Sequence, residues 1–108
     1  MLVVYLAGKY NGDTDRNIAE ARKVACDLWI HGYAVICPHL NTDHFEVDCS
    51  CVYEDYMEGD LEILSRCDMV VTLPDWQESP GATREVCRAR FLNIPVLEYA
   101  TLLQGKVK

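Results

Sequence analysis

The sequence predicts an α/β domain built on a parallel sheet, and three observations predict it. Short apolar runs alternate with longer amphipathic stretches. The helical stretches join consecutive strands, which makes those strands parallel with right-handed crossovers. No internal repeat, low-complexity tract or Ser/Pro linker interrupts the alternation. With 108 residues, 50% apolar and 25% charged, the chain is expected to form one domain over 1–108. The economical architecture is a three-layer sandwich, flavodoxin-like or Rossmann-like, with sheet order 2-1-3-4.

Residues 2–7 read as a buried strand, closed by Gly8 and a turn-rich segment running from Asn11 to Asp15. Ile18, Ala21, Ala25, Leu28 and Trp29 recur at helical spacing over 16–31, with Gly32 ending the helix as its C′ residue. Residues 33–37 form the second strand, stopped by Pro38. Residues 38–51 hold no sustained period, and a loop of that length inside a small domain is expected to be functional. The second helix spans 53–66, with Tyr53, Met57, Leu61 and Leu64 on one face and Glu54, Asp55 and Glu58 opposite. Residues 69–73 are the third strand. Ser79 as N-cap and Pro80 at the first helical position open a third helix reaching about residue 93. Residues 94–98 complete the sheet, and 99–104 form a terminal helical turn.

Composition excludes several classes of function. Ten Lys and Arg against 17 Asp and Glu give a net charge of −7, and the basic residues are not gathered, so nucleic acid is not expected as a partner. No apolar stretch approaches the roughly 18 residues that span a bilayer. Met1 leads directly into Leu-Val-Val without a basic segment or cleavage site, so a cytoplasmic protein is expected. The six cysteines are then read as reduced thiols. Cys37, His39, His44, Cys49 and Cys51 lack the C-x2-C spacing of structural zinc sites, so neither a metal nor another cofactor is expected.

In the order 2-1-3-4 the winding reverses between strands 1 and 3, and ligands bind outside the strand carboxyl ends at such a point. The site is therefore expected where residues 8–13 face 74–85. Gly8-Lys9-Tyr10-Asn11-Gly12 matches neither dinucleotide nor nucleoside-triphosphate motifs. It can shape a small anion nest with Lys9 beside it and the start of the third helix opposite, or be a surface turn with a solvated lysine. Glu85 either faces a ligand from the second turn of that helix or complements the helix dipole. Asp60 shares a helix face with Met57 and Leu64, as a site residue or an acid at the helix edge. The Tyr5 hydroxyl reaches the same crevice or caps the core. Trp76 stacks on a base or packs over the sheet edge, and His44 and Phe45 close over a ligand or stay solvated.

Four pieces of sequence carry a resemblance: Tyr5-Leu6-Ala7-Gly8; Asn17-Ile18-Ala19-Glu20-Ala21; Gly59-Asp60-Leu61-Glu62-Ile63-Leu64 before Cys67-Asp68-Met69-Val70-Val71; and Ser79-Pro80-Gly81-Ala82-Thr83-Arg84-Glu85-Val86 with Ala89 and Asn93-Ile94-Pro95-Val96. In this order they resemble the nucleoside 2-deoxyribosyltransferase superfamily, over nearly the whole chain. The similarity is to its short phage and bacterial members and its 2′-deoxynucleoside 5′-monophosphate N-glycosidases. The resemblance implies that Glu85 is the nucleophile at C1′ of a deoxyribosyl group, that Asp60 positions or protonates the departing base, and that Tyr5 orients Glu85. It also implies that Ser79 and Gly81 hold a 5′-phosphate, with Gly8, Lys9, Asn11 and Gly12 opposite. Lys9 departs from the Pro of many relatives, and Pro38-His39-Leu40-Asn41-Thr42 resembles the phage-type branch.

Such chemistry is physically coherent, because glycosidic cleavage passes through an oxocarbenium-like state served by one carboxylate beneath the sugar and one proton donor at the leaving group. Water as acceptor makes a hydrolase and a second base makes a transferase; the residues leave both open. The alternative is a nucleotide-binding module that senses or sequesters without turnover. The expected partner is a small nucleoside or nucleotide. A dimer-based homo-oligomer is also expected, since relatives complete the pocket from a neighbouring chain and Tyr53, Tyr56 and Trp76 offer contact surface.

Overall fold

The computed structural model describes residues 1–42, 45–48 and 50–102. Its strands are β1 (Val3–Ala7), β2 (Ala34–Ile36), β3 (Met69–Thr72) and β4 (Val96–Glu98). All pairings are parallel, in the order β2-β1-β3-β4. This is the expected flavodoxin-like sheet, with β1 and β3 as its buried middle. Their apolar runs are continuous because both faces are covered.

The first long helix, α1 (Thr14–Ile30), begins two residues before the expected start at 16 because Asp13 caps it, accepting the Arg16 N–H at 3.3 Å. Gly32 leaves the helix at φ 92°, a conformation that favours glycine. Ala21, Val24, Ala25 and Leu28 are buried. Trp29, expected in that stripe, is 55% exposed: one residue beyond Leu28, it turns out of the narrow buried face.

The segment expected to be an aperiodic loop contains two single-turn helices, α2 (Pro38–Asn41) and α3 (Phe45–Asp48). Pro38 ends the strand and also supplies the first residue of α2, where its missing N–H costs nothing. A single turn is too short to leave a period in the sequence. The helix α4 (Tyr53–Ser65) follows, and after β3 a 3₁₀ turn, Trp76–Glu78, leads into α5 (Pro80–Phe91). Ser79 caps α5 as expected, its hydroxyl accepting the Ala82 N–H at 3.1 Å. Residues 99–102 are helical, and the remainder of the expected terminal turn lies outside the described residues.

The sheet has two unlike faces. On one, Val4, Leu6, Val71 and Leu73 pack against Ala21, Val24 and Leu28 of α1. On the other, Tyr5, Ala7 and Val70 pack against Leu64 of α4 and Ala89 of α5. Strand alternation assigns neighbouring residues to opposite layers. Among the described residues no helix is long and apolar enough to cross a membrane.

Candidate active site

The cleft begins where β1 ends. A Cβ on Gly8 would lie 2.5 Å from Leu73 Cδ1, so only glycine lets the chain leave β1 this close to the end of β3. The following loop is held by Asn17 on α1, whose Nδ2 donates to the carbonyls of Tyr10 and Asn11, both at 3.1 Å. Gly81 performs a matching task at the start of α5, where an added Cβ would lie 3.1 Å from Met57 Cε and 3.2 Å from the Tyr53 hydroxyl. These close approaches shape a cavity of about 470 Å³ outside the carboxyl ends of β1 and β3.

Glu85 lies in the second turn of α5, 5% exposed, and its carboxyl group accepts a hydrogen bond from the Tyr5 hydroxyl. Burial pushes Glu85 up to about 8; the Tyr5 bond opposes that rise, and the charge of Asp60 adds to it. Tyr5 is wholly buried, and burial first, then the charges of Glu85 and Asp60, hold its phenol far above the ordinary range. It is therefore a donor at every accessible pH. Asp60, half-buried on α4, is pushed up to about 6 by burial.

His39 adds a neutral wall. Its Nε2 lies 2.7 Å from the Lys9 carbonyl, which only an N–H can satisfy, so Nε2 carries the proton. Burial holds its pKa down, Nδ1 has no hydrogen-bond partner among the described residues, and the ring meets Tyr10 edge to face at 5.5 Å. Across the mouth, Lys9 Nζ lies 3.2 Å from Glu78 Oε1.

Gly8, Lys9, Asn11, Asp60, Ser79, Gly81 and Glu85 thus line one cavity, with Tyr5 bonded to Glu85. Gly12 does not line it; at φ 101° it makes the turn into the cap of α1. Trp76 is not beside this cleft either. Asp75, at φ 63°, turns the chain so that Trp76 lines a separate cavity of about 170 Å³ with Thr72, Glu98 and Tyr99. The expected base-stacking by Trp76 is corrected accordingly. Trp76 and Tyr56 are also only partly exposed. His44 lies outside the described residues, and Phe45 does not line the cavity. His39, Tyr53, Met57 and Glu78 line the cavity without a sequence signal of their own for ligand contact, although 53, 57 and 60 share a helical face and His39 lies three residues past the end of β2. Cys26, Cys37, Cys51, Cys67 and Cys87 are free thiols, and among the described residues no group of three or more His, Cys, Asp or Glu side chains could hold a metal ion.

Parallel strands in this order, with the buried Glu85 and the half-buried Asp60 at the switch point, define a flavodoxin-like α/β protein with a small-molecule cleft. The chain belongs to the family described as Domain of unknown function (DUF4406), which it matches over residues 2–98. Among solved structures it is similar to a 2-deoxyribosyltransferase from Bacillus psychrosaccharolyticus, with 25% identity and a TM-score of 0.63 over 89% of this chain and 70% of that one. It also shares the fold of a 2-deoxyribosyltransferase from Leishmania mexicana, with 18% identity and a TM-score of 0.67, covering 91% of this chain and 63% of that one. No curated protein matches the sequence.

Proposed function

We propose that the protein cleaves the N-glycosidic bond of a 2′-deoxynucleoside or its 5′-monophosphate and transfers the deoxyribosyl group to water or a second base. The observation that carries this reading is a buried carboxyl, Glu85, oriented by the Tyr5 hydroxyl in a cavity that also receives Asp60. The likeness to the Bacillus 2-deoxyribosyltransferase supports the same chemistry.

In this mechanism the ionised Glu85 attacks C1′, a glycosyl ester forms, and the bond from C1′ to the base nitrogen breaks. Asp60 delivers a proton to the departing base. Water or the nitrogen of a second base then attacks C1′, Glu85 leaves as carboxylate, and the proton released returns to Asp60. Tyr5 steadies the Glu85 oxygen and never ionises. Gly8, Asn11, Ser79 and Gly81 bound the sugar. A neighbouring copy would cover the open mouth, where Tyr53 is 49% exposed, and a dimer-based homo-oligomer in the cytoplasm fits that need. Light scattering over a wide concentration range tests the assembly; a monomer with full turnover removes it.

A binding module without turnover is favoured by one observation: a Glu85 pushed to about 8 is largely protonated at neutral pH and then cannot attack. Incubation with a panel of deoxynucleosides and 5′-monophosphates, with and without added base, separates the two readings. Free base detected by chromatography supports the enzyme; saturable binding without release supports the module.

A further inference from the structure

From sequence alone, Lys9 and the start of α5 invite a phosphate. Their surroundings argue against one. Among the described residues the cavity is lined by one ammonium, Lys9, against the carboxylates of Glu78 and Asp60, with Glu85 deeper and pushed toward its neutral form by burial and His39 held neutral the same way. Lys9 is already engaged by Glu78 at 3.2 Å. The first turn of α5 offers little in exchange. Pro80 has no N–H, the Ala82 N–H is taken by the Ser79 hydroxyl at 3.1 Å, and the Thr83 N–H by the Ser79 carbonyl at 2.9 Å. Gly81 is left as the donor of that turn, one residue past Pro80 and three past the Glu78 carboxylate.

We propose that Glu78, through its pairing with Lys9 at the mouth, makes this cavity select uncharged nucleosides over their phosphorylated forms. The inference rests on the proposed deoxynucleoside chemistry and names the form of substrate that chemistry takes. An incoming phosphate dianion would displace Glu78 from Lys9 and leave that carboxylate beside it. The exposed ion pair itself is easily opened, its side chains being 40% and 61% exposed. Repulsion by the displaced carboxylate is what discriminates, since like charges brought together suppress the wrong partner. An uncharged hydroxyl meets no such conflict: it accepts from the Lys9 ammonium and donates to the Glu78 carboxylate without separating them.

The test measures two things for a deoxynucleoside and its 5′-monophosphate: equilibrium binding by calorimetry, and base release by chromatography. Both are run on the parent, Glu78→Gln and Lys9→Met. The parent is expected to bind the nucleoside at least about tenfold more tightly. Glu78→Gln is expected to move the ratio toward the monophosphate by about tenfold, and Lys9→Met to move it further toward the nucleoside. A parent that binds the monophosphate equally or better, or a ratio unmoved by Glu78→Gln, overturns the proposal. Selective nucleoside binding with no base release sinks the enzymatic reading and leaves the selectivity standing. Base release with equal use of both ligands does the reverse, and binding of neither ligand overturns both.

Discussion

The two faces of the sheet are made by the same strands and do opposite things. Toward α1, the residues of β1 and β3 close an apolar core that includes Val4, Leu6, Leu28, Val35 and Val71, with Tyr33 and Tyr99 packed against it. Toward α4 and α5, the alternate residues are Tyr5, Ala7, Val70 and Thr72, and this side holds the buried acid Glu85 and the cavity of about 470 Å³. The first layer gains from every buried methylene. The second gives up packing and buries a titratable group, a cost that persists in proteins where a site uses it. The contrast teaches that a period of two residues lets one strand serve a packed core and a candidate site without conflict.

The largest effect expected is on turnover. Glu85→Gln keeps the shape and an acceptor for Tyr5 yet removes the oxygen proposed as the nucleophile, so base release should fall by about a thousandfold or more while ligand binding survives. A similar rate in Glu85→Gln would dismiss the nucleophile and make Asp60 the next acid to test. On the opposite face, Leu28→Ala should cost about 2–5 kcal/mol in urea unfolding, because Leu28 is 2% exposed, with turnover per folded molecule unchanged.

The faces should also differ in their response to pH. Glu85 has a folded-state value of about 8 against an ordinary 4.5, so the folded state holds its proton more tightly than the unfolded chain does. Its stabilising contribution is complete below 4.5 and is lost as pH rises through 8. Asp60 acts in the same direction over a narrower window, from 3.8 to about 6. Glu85→Gln has no such proton to lose. It should therefore be more stable than the parent by roughly 2–4 kcal/mol at pH 9 and close to it at pH 4. The Leu28→Ala deficit should stay flat over the same range. Melting curves of all three proteins across pH check this, and a Glu85→Gln difference that does not grow with pH breaks the comparison.

Turnover gives a further reading of the acid pair. The proposed chemistry needs one proton on the pair, so kcat/KM should be bell-shaped with apparent limbs near 6 and 8, belonging to the pair rather than to either residue. Asp60→Asn should lower the rate and abolish the alkaline limb, since no acid remains to be lost. An unchanged bell would remove Asp60 from proton transfer.

How much of this was legible in the sequence follows the range of the interactions. Strand alternation, the caps at Ser79 and Gly32, and the sheet order rest on neighbours in sequence or on connection rules, and each is visible without coordinates. Asp60 is visible as an acid on an apolar helical face, which a site residue and an acid at the helix edge explain equally. Glu85 is not, because helix position alone cannot separate a dipole complement from a buried acid; what buries and orients it is Tyr5, 80 residues away. The Lys9 and Glu78 pair spans 69 residues and was invisible for the same reason. Trp76 stays open between base stacking and packing over the sheet edge because the turn at Asp75, in a left-handed conformation that non-glycine residues seldom adopt, decides which side of the sheet end receives the indole.

The smallest expected effect compares one cap from each face. Asp13 caps α1 with a carboxylate 3.3 Å from the Arg16 N–H, and Ser79 caps α5 with a hydroxyl 3.1 Å from the Ala82 N–H. Each →Ala substitution removes a single acceptor from a helix start, so each should cost about 0.5–2 kcal/mol, Asp13 toward the low end because its bond is longer and exposed. Their effects on turnover should part. Asp13 does not line the cavity, so Asp13→Ala should leave kcat/KM unchanged. Ser79 does line it, and its loss frees the Ala82 N–H beside the ligand, so Ser79→Ala should change KM by a few-fold with little change in kcat. Urea unfolding and steady-state kinetics on the two variants decide the matter: equal stability losses with equal KM would make Ser79 a helix cap and nothing more.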